Sequence, residues 1–117
     1  MLSEKKIHLE ARAKVLKALA HPTRLFIIEE IEKGENNVNS LTALIEADVS
    51  TVSKHLAVLK NAGIVVDDKR GNQVFYRLTV PCISNFFGCI ETVLTQQHAQ
   101  QSLALGADVS NRQARGK

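Results

Sequence analysis

The chain has 117 residues, 44% of them hydrophobic, with a net charge of +3 and an isoelectric point near 9.0. That length makes one domain, the periodic apolar content fits a folded core rather than disorder, and the mild basicity suits nucleic acid. No apolar run approaches the roughly 20 residues that span a bilayer, the start MLSEKKIHLEARAKVLKAL lacks the apolar core of a signal peptide, and Cys82 and Cys89 are too few for a disulfide scaffold, so a reducing cytoplasm is the expected compartment.

Leu9, Val15, Leu16 and Leu19 recur at helical spacing and predict helix 1 over residues 3–19. His21-Pro22 breaks it, and Pro22 suits the first turn of helix 2, whose apolar residues Leu25, Phe26, Ile28 and Ile31 run to a stop at Gly34. Residues 35–39 read as a polar loop. Asn39 or Ser40 caps helix 3, which carries Leu41, Leu44 and Ile45 to about Ala47. Asp48-Val49 is the tight turn, and Ser50 caps helix 4, about residues 50–61, with Val52, Leu56, Val58 and Leu59 as its apolar positions. Ile64-Val65-Val66 and the segment from Val74 to Leu78 are β-branched and aromatic, joined by a turn from Asp67 to Asn72, and predict a wing over about 64–78. Pro81 begins helix 5, about 81–97, with Ile83, Phe86, Phe87, Ile90, Val93 and Leu94. The domain then spans 1–100, and 101–117 is a polar tail expected to fray.

The fold class is therefore mainly α with a small β-hairpin: a winged helix-turn-helix of five helices and a two-stranded wing. Helix 4 gathers Ser50, Thr51, Ser53 and Lys54 on one side, with His55 alongside and Lys60 further on. Small hydroxyls at a helix start allow close approach to base edges, backbone amides there favour phosphate oxygens, and Lys54 adds a charge-assisted phosphate or guanine contact. At the hairpin tip Lys69, Arg70 and Gln73 flank Gly71-Asn72 and would reach flanking phosphates or the minor groove. A capped surface helix and a solvated charged turn are the plain alternatives. The two elements in sequence are more specific than either alone, and they point to double-stranded DNA as the partner.

The chain resembles the ArsR/SmtB family of winged-helix repressors over about residues 10–95. The carrying segments are LKALAHPTR from Leu16, VSTVSKHLAVLK from Val49, AGIV from Ala62 and VFYRL from Val74. The resemblance implies a homodimer built mainly from helices 1 and 5. It would bind a dyad-symmetric operator, with half-sites about one helical turn or a multiple apart, and would be released by an inducer. The family's sensing sites are not kept. Where its helix 3 thiolate motif reads ELCVCDL, Asn37 and Asn39 stand in place of the cysteines. At its helix 5 zinc site the matching positions are Val80, Cys82, Val93 and Gln96, so three of four ligands are missing, which argues against zinc. The family's paired-cysteine persulfide sensors carry a thiol on helix 2, and this helix 2 has none.

Cys82 and Cys89 lie seven residues apart on the expected helix 5. They would share a face yet stand ~10.5 Å apart along the axis, too far for an intrachain disulfide or for joint ligation from one straight helix. Unwinding of the first turn, or Cys82 of one subunit facing Cys89 of the other, would give a sulfur site suited to trivalent arsenic or antimony. The alternatives are that both thiols are simple core or that they are redox switches. His8, His21, His55 and His98 do not form a metal spacing, and His21 reads as structural. The leading expectation is a repressor relieved by a thiophilic metalloid, with no cofactor needed for DNA binding. A protein-interaction module of the same fold is the competitor from another class. An enzyme has the least support, since no Gly-rich phosphate loop, nucleophile elbow or carboxylate pair is recognisable.

Overall fold

The computed structural model describes residues 2–109, with side chains through residue 100. Helix α1 (Ser3–Leu19) stops just before Ala20-His21-Pro22, where proline biases the preceding residue to extended backbone. His21 is extended, and its Nδ1 accepts the Thr23 N–H at 3.1 Å, so it caps α2 (Pro22–Glu32), with Pro22 in the first turn. That bond bears out the structural reading of His21.

Residues 35–39 are more than a loop. They contain strand β1 (Asn36–Asn37), which pairs antiparallel with the second hairpin strand through Asn36↔Tyr76 and Asn37↔Phe75. The wing is therefore part of a three-stranded sheet rather than a two-stranded one. Asn37 also caps α3 (Val38–Ile45): its Oδ1 accepts the Ser40 N–H at 2.8 Å. The cap falls on Asn37 and not on Asn39 or Ser40, because the chain is still extended there to pair with the sheet.

The turn after α3 is Glu46-Ala47-Asp48, earlier than the expected Asp48-Val49. Glu46 adopts left-handed backbone at φ 61°, and its N–H bonds the Thr42 carbonyl at 3.0 Å. Asp48, not Ser50, caps α4 (Val49–Asn61), its Oδ1 accepting the Thr51 N–H at 2.8 Å. At the far end the Gly63 N–H bonds the Lys60 carbonyl at 2.9 Å and the Ile64 N–H bonds Leu59 at 3.0 Å. This is the paired closure of a helix whose next residue is left-handed, and Gly63 supplies it at φ +82°. Ile64, buried, then enters the wing.

Strands β2 (Val65–Arg70) and β3 (Gln73–Leu78) pair from Val65↔Leu78 to Arg70↔Gln73. The connection is thus only Gly71-Asn72, tighter than the expected turn from Asp67 to Asn72. Gly71 at φ +63° provides the positive backbone angle such a short hairpin loop needs. Thr79 fastens the returning strand: its N–H bonds Ile64 O at 2.9 Å and its Oγ1 donates to Gly63 O at 2.6 Å.

Ile27, Ile28, Leu41, Val52, Leu56 and Leu59 are completely buried and form the centre of the unit that ends at Pro81. Several apolar residues expected inside are not: Leu25 and Phe26 are each 36% exposed, Val58 38% and Leu44 52%. Helix α5 (Ile83–Val109) belongs to a second unit. It begins after Pro81-Cys82 and continues past residues 97 and 100, where a tail was expected. Residues 110–117, the rest of that tail, lie outside the described residues. Phe86, Ile90, Val93 and Leu94 along α5 are 40–52% exposed. Among the described residues no helix is long and apolar enough to cross a membrane.

A β-carbon in the left-handed region costs roughly 1–2 kcal/mol, partly offset by the unfolded-chain freedom a glycine adds. Glu46→Gly should therefore stabilise the fold by up to about 1 kcal/mol, read as a higher urea midpoint at unchanged slope. A lower midpoint would show that the Glu46 side chain, not its backbone angle, decides the turn.

Candidate nucleic-acid interface

Helix α4 has two sharply different sides. Val52, Leu56 and Leu59 are 0% exposed, while Ser50, Thr51, Ser53 and Lys54 are all exposed in its first two turns. The helix is held by burial on one side and offers hydroxyls and an ammonium on the other. Its N-terminus is less open than expected, because the Asp48 carboxylate takes the Thr51 amide and also accepts the Ser50 hydroxyl at 3.1 Å. Hydrogen bonds from Thr51 and Ser50 hold that carboxyl below the usual range. A phosphate approaching the amides of this first turn would meet an anion already in place. Contacts along this side therefore fall to the side chains.

His55 points away from that exposed group. Its ring lies 4.5 Å from the ring of His21, and its Nδ1 is 3.4 Å from the Arg24 guanidinium. Burial, then the neighbouring His21 and Arg24, push its pKa below the ordinary 6.5. The imidazole is a neutral spacer between α4 and the start of α2.

Lys60 and Arg70, both expected at the interface, are already engaged. Lys60 Nζ is 2.9 Å from Asp67 Oδ2, tying the end of α4 to β2. Arg70 is held on three sides. Its NH groups bond both Glu35 oxygens at 2.9 and 2.6 Å, its Nε bonds Asp68 at 3.0 Å, and its guanidinium lies 4.7 Å from the Phe75 ring centre. Glu35, whose carboxyl is lowered chiefly by the hydrogen bond from Arg70, was missed by sequence reasoning because the partner is 35 positions distant. Lys69 and Gln73 remain exposed at the hairpin tip. Among the described residues, the exposed cations of α4 and the wing that are in no ion pair are thus Lys54, Lys69 and Arg77, with Arg70 acting first as the fastener of the wing to the β1 strand.

Cys82 precedes α5 rather than lying on it, in a turn closed by the Asn85 N–H to the Cys82 carbonyl at 3.0 Å. Cys89 lies within the helix, and both thiols are exposed and free, so neither is a simple core residue in the single chain. The shared helical face fails because Pro81 and Cys82 form a turn. Cys89 is ~9 Å along the axis from the first helical residue. Among the described residues no group of three metal-ligating side chains occurs.

This arrangement can be set against known proteins. Residues 21–66 match the model of bacterial regulatory proteins of the arsR family. A biofilm growth-associated repressor from Xylella fastidiosa is 34% identical over 88 residues, 75% of this chain and 77% of that protein. The chain belongs to the arsR family. Another relative, the HTH-type transcriptional repressor SmtB of Mycobacterium tuberculosis, is 36% identical over 70 residues, 60% of this chain and 52% of that one. Among solved structures, a homodimeric winged helix-turn-helix DNA-binding domain from Mycobacterium bovis matches with a TM-score of 0.71 at 28% identity, covering 80% of this chain and 87% of that one. NolR from Sinorhizobium fredii matches at 0.72 and 25% identity, covering 80% and 93%. This arsR-family chain is thus a bacterial regulator with the winged helix-turn-helix fold.

The His55 environment predicts a pH dependence. Its folded pKa is depressed, so below about 6.5 the unfolded chain takes up a proton that the folded chain resists. Stability from this group is complete above that pH and is lost as pH falls towards the folded pKa. The thermal midpoint should drop on acidification from about pH 7 to 5, and His55→Gln should flatten the drop. An equal drop in the variant would assign it to other groups.

Proposed function

We propose that the protein is a dimeric transcriptional repressor that binds operator DNA through α4 and the wing. The observation that carries the reading is the division of α4, with Ser50, Thr51, Ser53 and Lys54 exposed above a fully buried Val52, Leu56 and Leu59. Such a helix is rigidly seated yet presents short polar groups that fit a major groove, with Lys69 and Gln73 at the wing tip for flanking backbone. Dimerisation is supported by exposed apolar side chains on α1 (Ile7 at 66%, Leu16 at 45%) and on α5 (Val93 at 52%, Leu94 at 50%), and by the homodimeric structural neighbour.

The test is fluorescence anisotropy with the DNA upstream of the protein's own gene. Binding should weaken steeply with salt. Lys54→Ala should lower the affinity across sequences and reduce the salt slope by about one. Arg70→Ala should act less on the slope and more on the stability of the wing, because its charge is already paired with Glu35 and Asp68. DNA binding without salt dependence, or none at all, would leave the fold as a protein-interaction module.

A second reading concerns release. Exposure of Cys82 and Cys89, together with asparagine at both thiolate positions of the α3 site, supports relief by trivalent arsenic or antimony bound by thiols from two chains. Arsenite added to the preformed complex should release DNA near stoichiometry, and Cys82→Ser or Cys89→Ser should abolish the release. Release by oxidant but not by arsenite would make the pair a redox switch. Release by arsenite in both variants would exclude these thiols.

A further inference from the structure

A cleft of about 350 Å³ opens between α1, α2 and the last turns of α4. Its rim is basic: Lys14 and Lys17 from α1 and Arg24 from α2. Among the described residues none of these three is in a salt bridge, the ion pairs being those of Lys33, Lys60 and Arg70. Arg24 carries a further signal. Among the described residues its Nε is sealed from solvent with no hydrogen-bond partner, and its one side-chain hydrogen bond is the long 3.4 Å approach to His55. A carboxylate at the rim would meet three cations with no ion-pair partner, and it matches the geometry of a guanidinium edge. The remaining lining is Asn61, a neutral hydrogen-bonding group, and the apolar Ala18, Val58 and Ala62. The 38% exposure of Val58, which the helical pattern would bury, is exposure beside this cleft.

We propose that this cleft is a binding site for a small organic carboxylate with an apolar body. The volume falls within the range of small-molecule sites. The mixed lining favours an acid with a hydrocarbon part over inorganic phosphate, which would leave Val58 and the alanines unused. A DNA phosphate fits less well, since Val58 lies ~12 Å along α4 from Ser50. The walls also say what occupancy would do. One is the C-terminal half of α4 and the others are α1 and α2, so a ligand spanning them favours one placement of α4 over others. Resting on the reading of α4 as the DNA-binding helix, occupancy then changes operator affinity, and operator changes ligand affinity by the same factor.

The probes are benzoate, its neutral counterpart benzamide, and inorganic phosphate, titrated into the full chain without DNA and followed by amide chemical shifts and thermal midpoint. Benzoate should bind saturably and raise the midpoint, benzamide should not, and phosphate should bind more weakly than benzoate. The double variant Lys14→Gln/Lys17→Gln changes only exposed side chains and so should fold. It should lose about tenfold in benzoate affinity, as expected for lost charge-assisted contacts. Val58→Trp, which fills the cleft from a part-exposed position, should abolish binding while leaving far-ultraviolet circular dichroism unchanged. Benzoate binding that ignores both variants, equal binding of phosphate, or no saturable benzoate binding each overturns the site. Anisotropy of the DNA complex at saturating benzoate separates the two levels. A changed dissociation constant supports the coupling, whereas an unchanged one removes the coupling and leaves the binding result standing. A chain that binds benzoate but no DNA overturns the repressor reading and keeps the cleft.

Discussion

The burial of Val52, Leu56 and Leu59 against α2 and α3 is the constraint on which the rest of the structure depends. Three fully buried side chains on one side of a short helix set its rotation about its own axis, because any turn of the helix would expose about 1.5–3 kcal/mol of apolar surface per side chain. Once the rotation is set, Ser50, Thr51, Ser53 and Lys54 have nowhere to go but outward. The proposed DNA-binding surface is in this sense the remainder of the core. The two helix ends complete the placement. Asp48 fixes where the helix starts, and the Gly63 closure fixes where it stops and hands Ile64 to the sheet.

Around this helix the polar interactions work as ties between elements that burial alone would leave loose. His21 caps α2 and sets its ring 4.5 Å from that of His55 in a tilted contact, so one residue at a helix break serves both its own backbone and the neighbouring helix. Lys60 with Asp67, and Arg70 with Glu35, attach the wing to α4 and to the strand before α3. These pairs are exposed and each contributes little to global stability. Their consequence is geometric: they hold the wing at a set angle while it remains on the surface. The basic groups around α4 accordingly divide by role. Among the described residues Lys54, Lys69 and Arg77 are exposed and in no ion pair, Lys60 and Arg70 brace the wing, and Lys14, Lys17 and Arg24 surround the cleft behind the helix.

Much of this was legible in the sequence, and the parts that were not share a cause. Helix periodicity and the stops at Pro22 and Gly63 are local signals, and α1, α2, α4 and both hairpin strands were read from them. The caps were misplaced because aspartate, asparagine and serine all cap well, and only the fold decides among Asp48, Ser50, Asn37 and Ser40. Strand β1 was invisible because Asn36-Asn37 has turn-former side chains, whereas the pairing with β3 is made by its backbone. Glu35 fell in an expected polar loop and Asp67 and Asp68 in an expected turn, so their ion pairs with Arg70 and Lys60 had no local signal. The shared-face argument for Cys82 and Cys89 rested on a helix starting at Pro81. The chain turns there instead, so Cys82 lies before the helix and not on it. The extension of α5 beyond residue 100 had its signal in QQSLALGADV, rich in helix formers and free of proline, which polarity alone obscured.

The strand order β1-β3-β2 has a consequence for the protein in a crowded solution. A small sheet has two open edges, and each presents unpaired backbone groups to any other extended chain. Here the edge at β1 is only Asn36–Asn37 long, too short to template a partner. The edge at β2 is longer but runs Val65-Val66-Asp67-Asp68-Lys69-Arg70, with exposed charges from Asp67 onward. An intruding strand would have to lie beside charges of both signs, of which Asp67, Asp68 and Arg70 are already paired. The most hydrophobic strand, with Val74, Phe75 and Tyr76, is the central one, and Phe75 and Tyr76 are paired on both sides. The charged run of β2 therefore keeps the sheet from adding strands of its own kind and guards the wing against self-association into fibres.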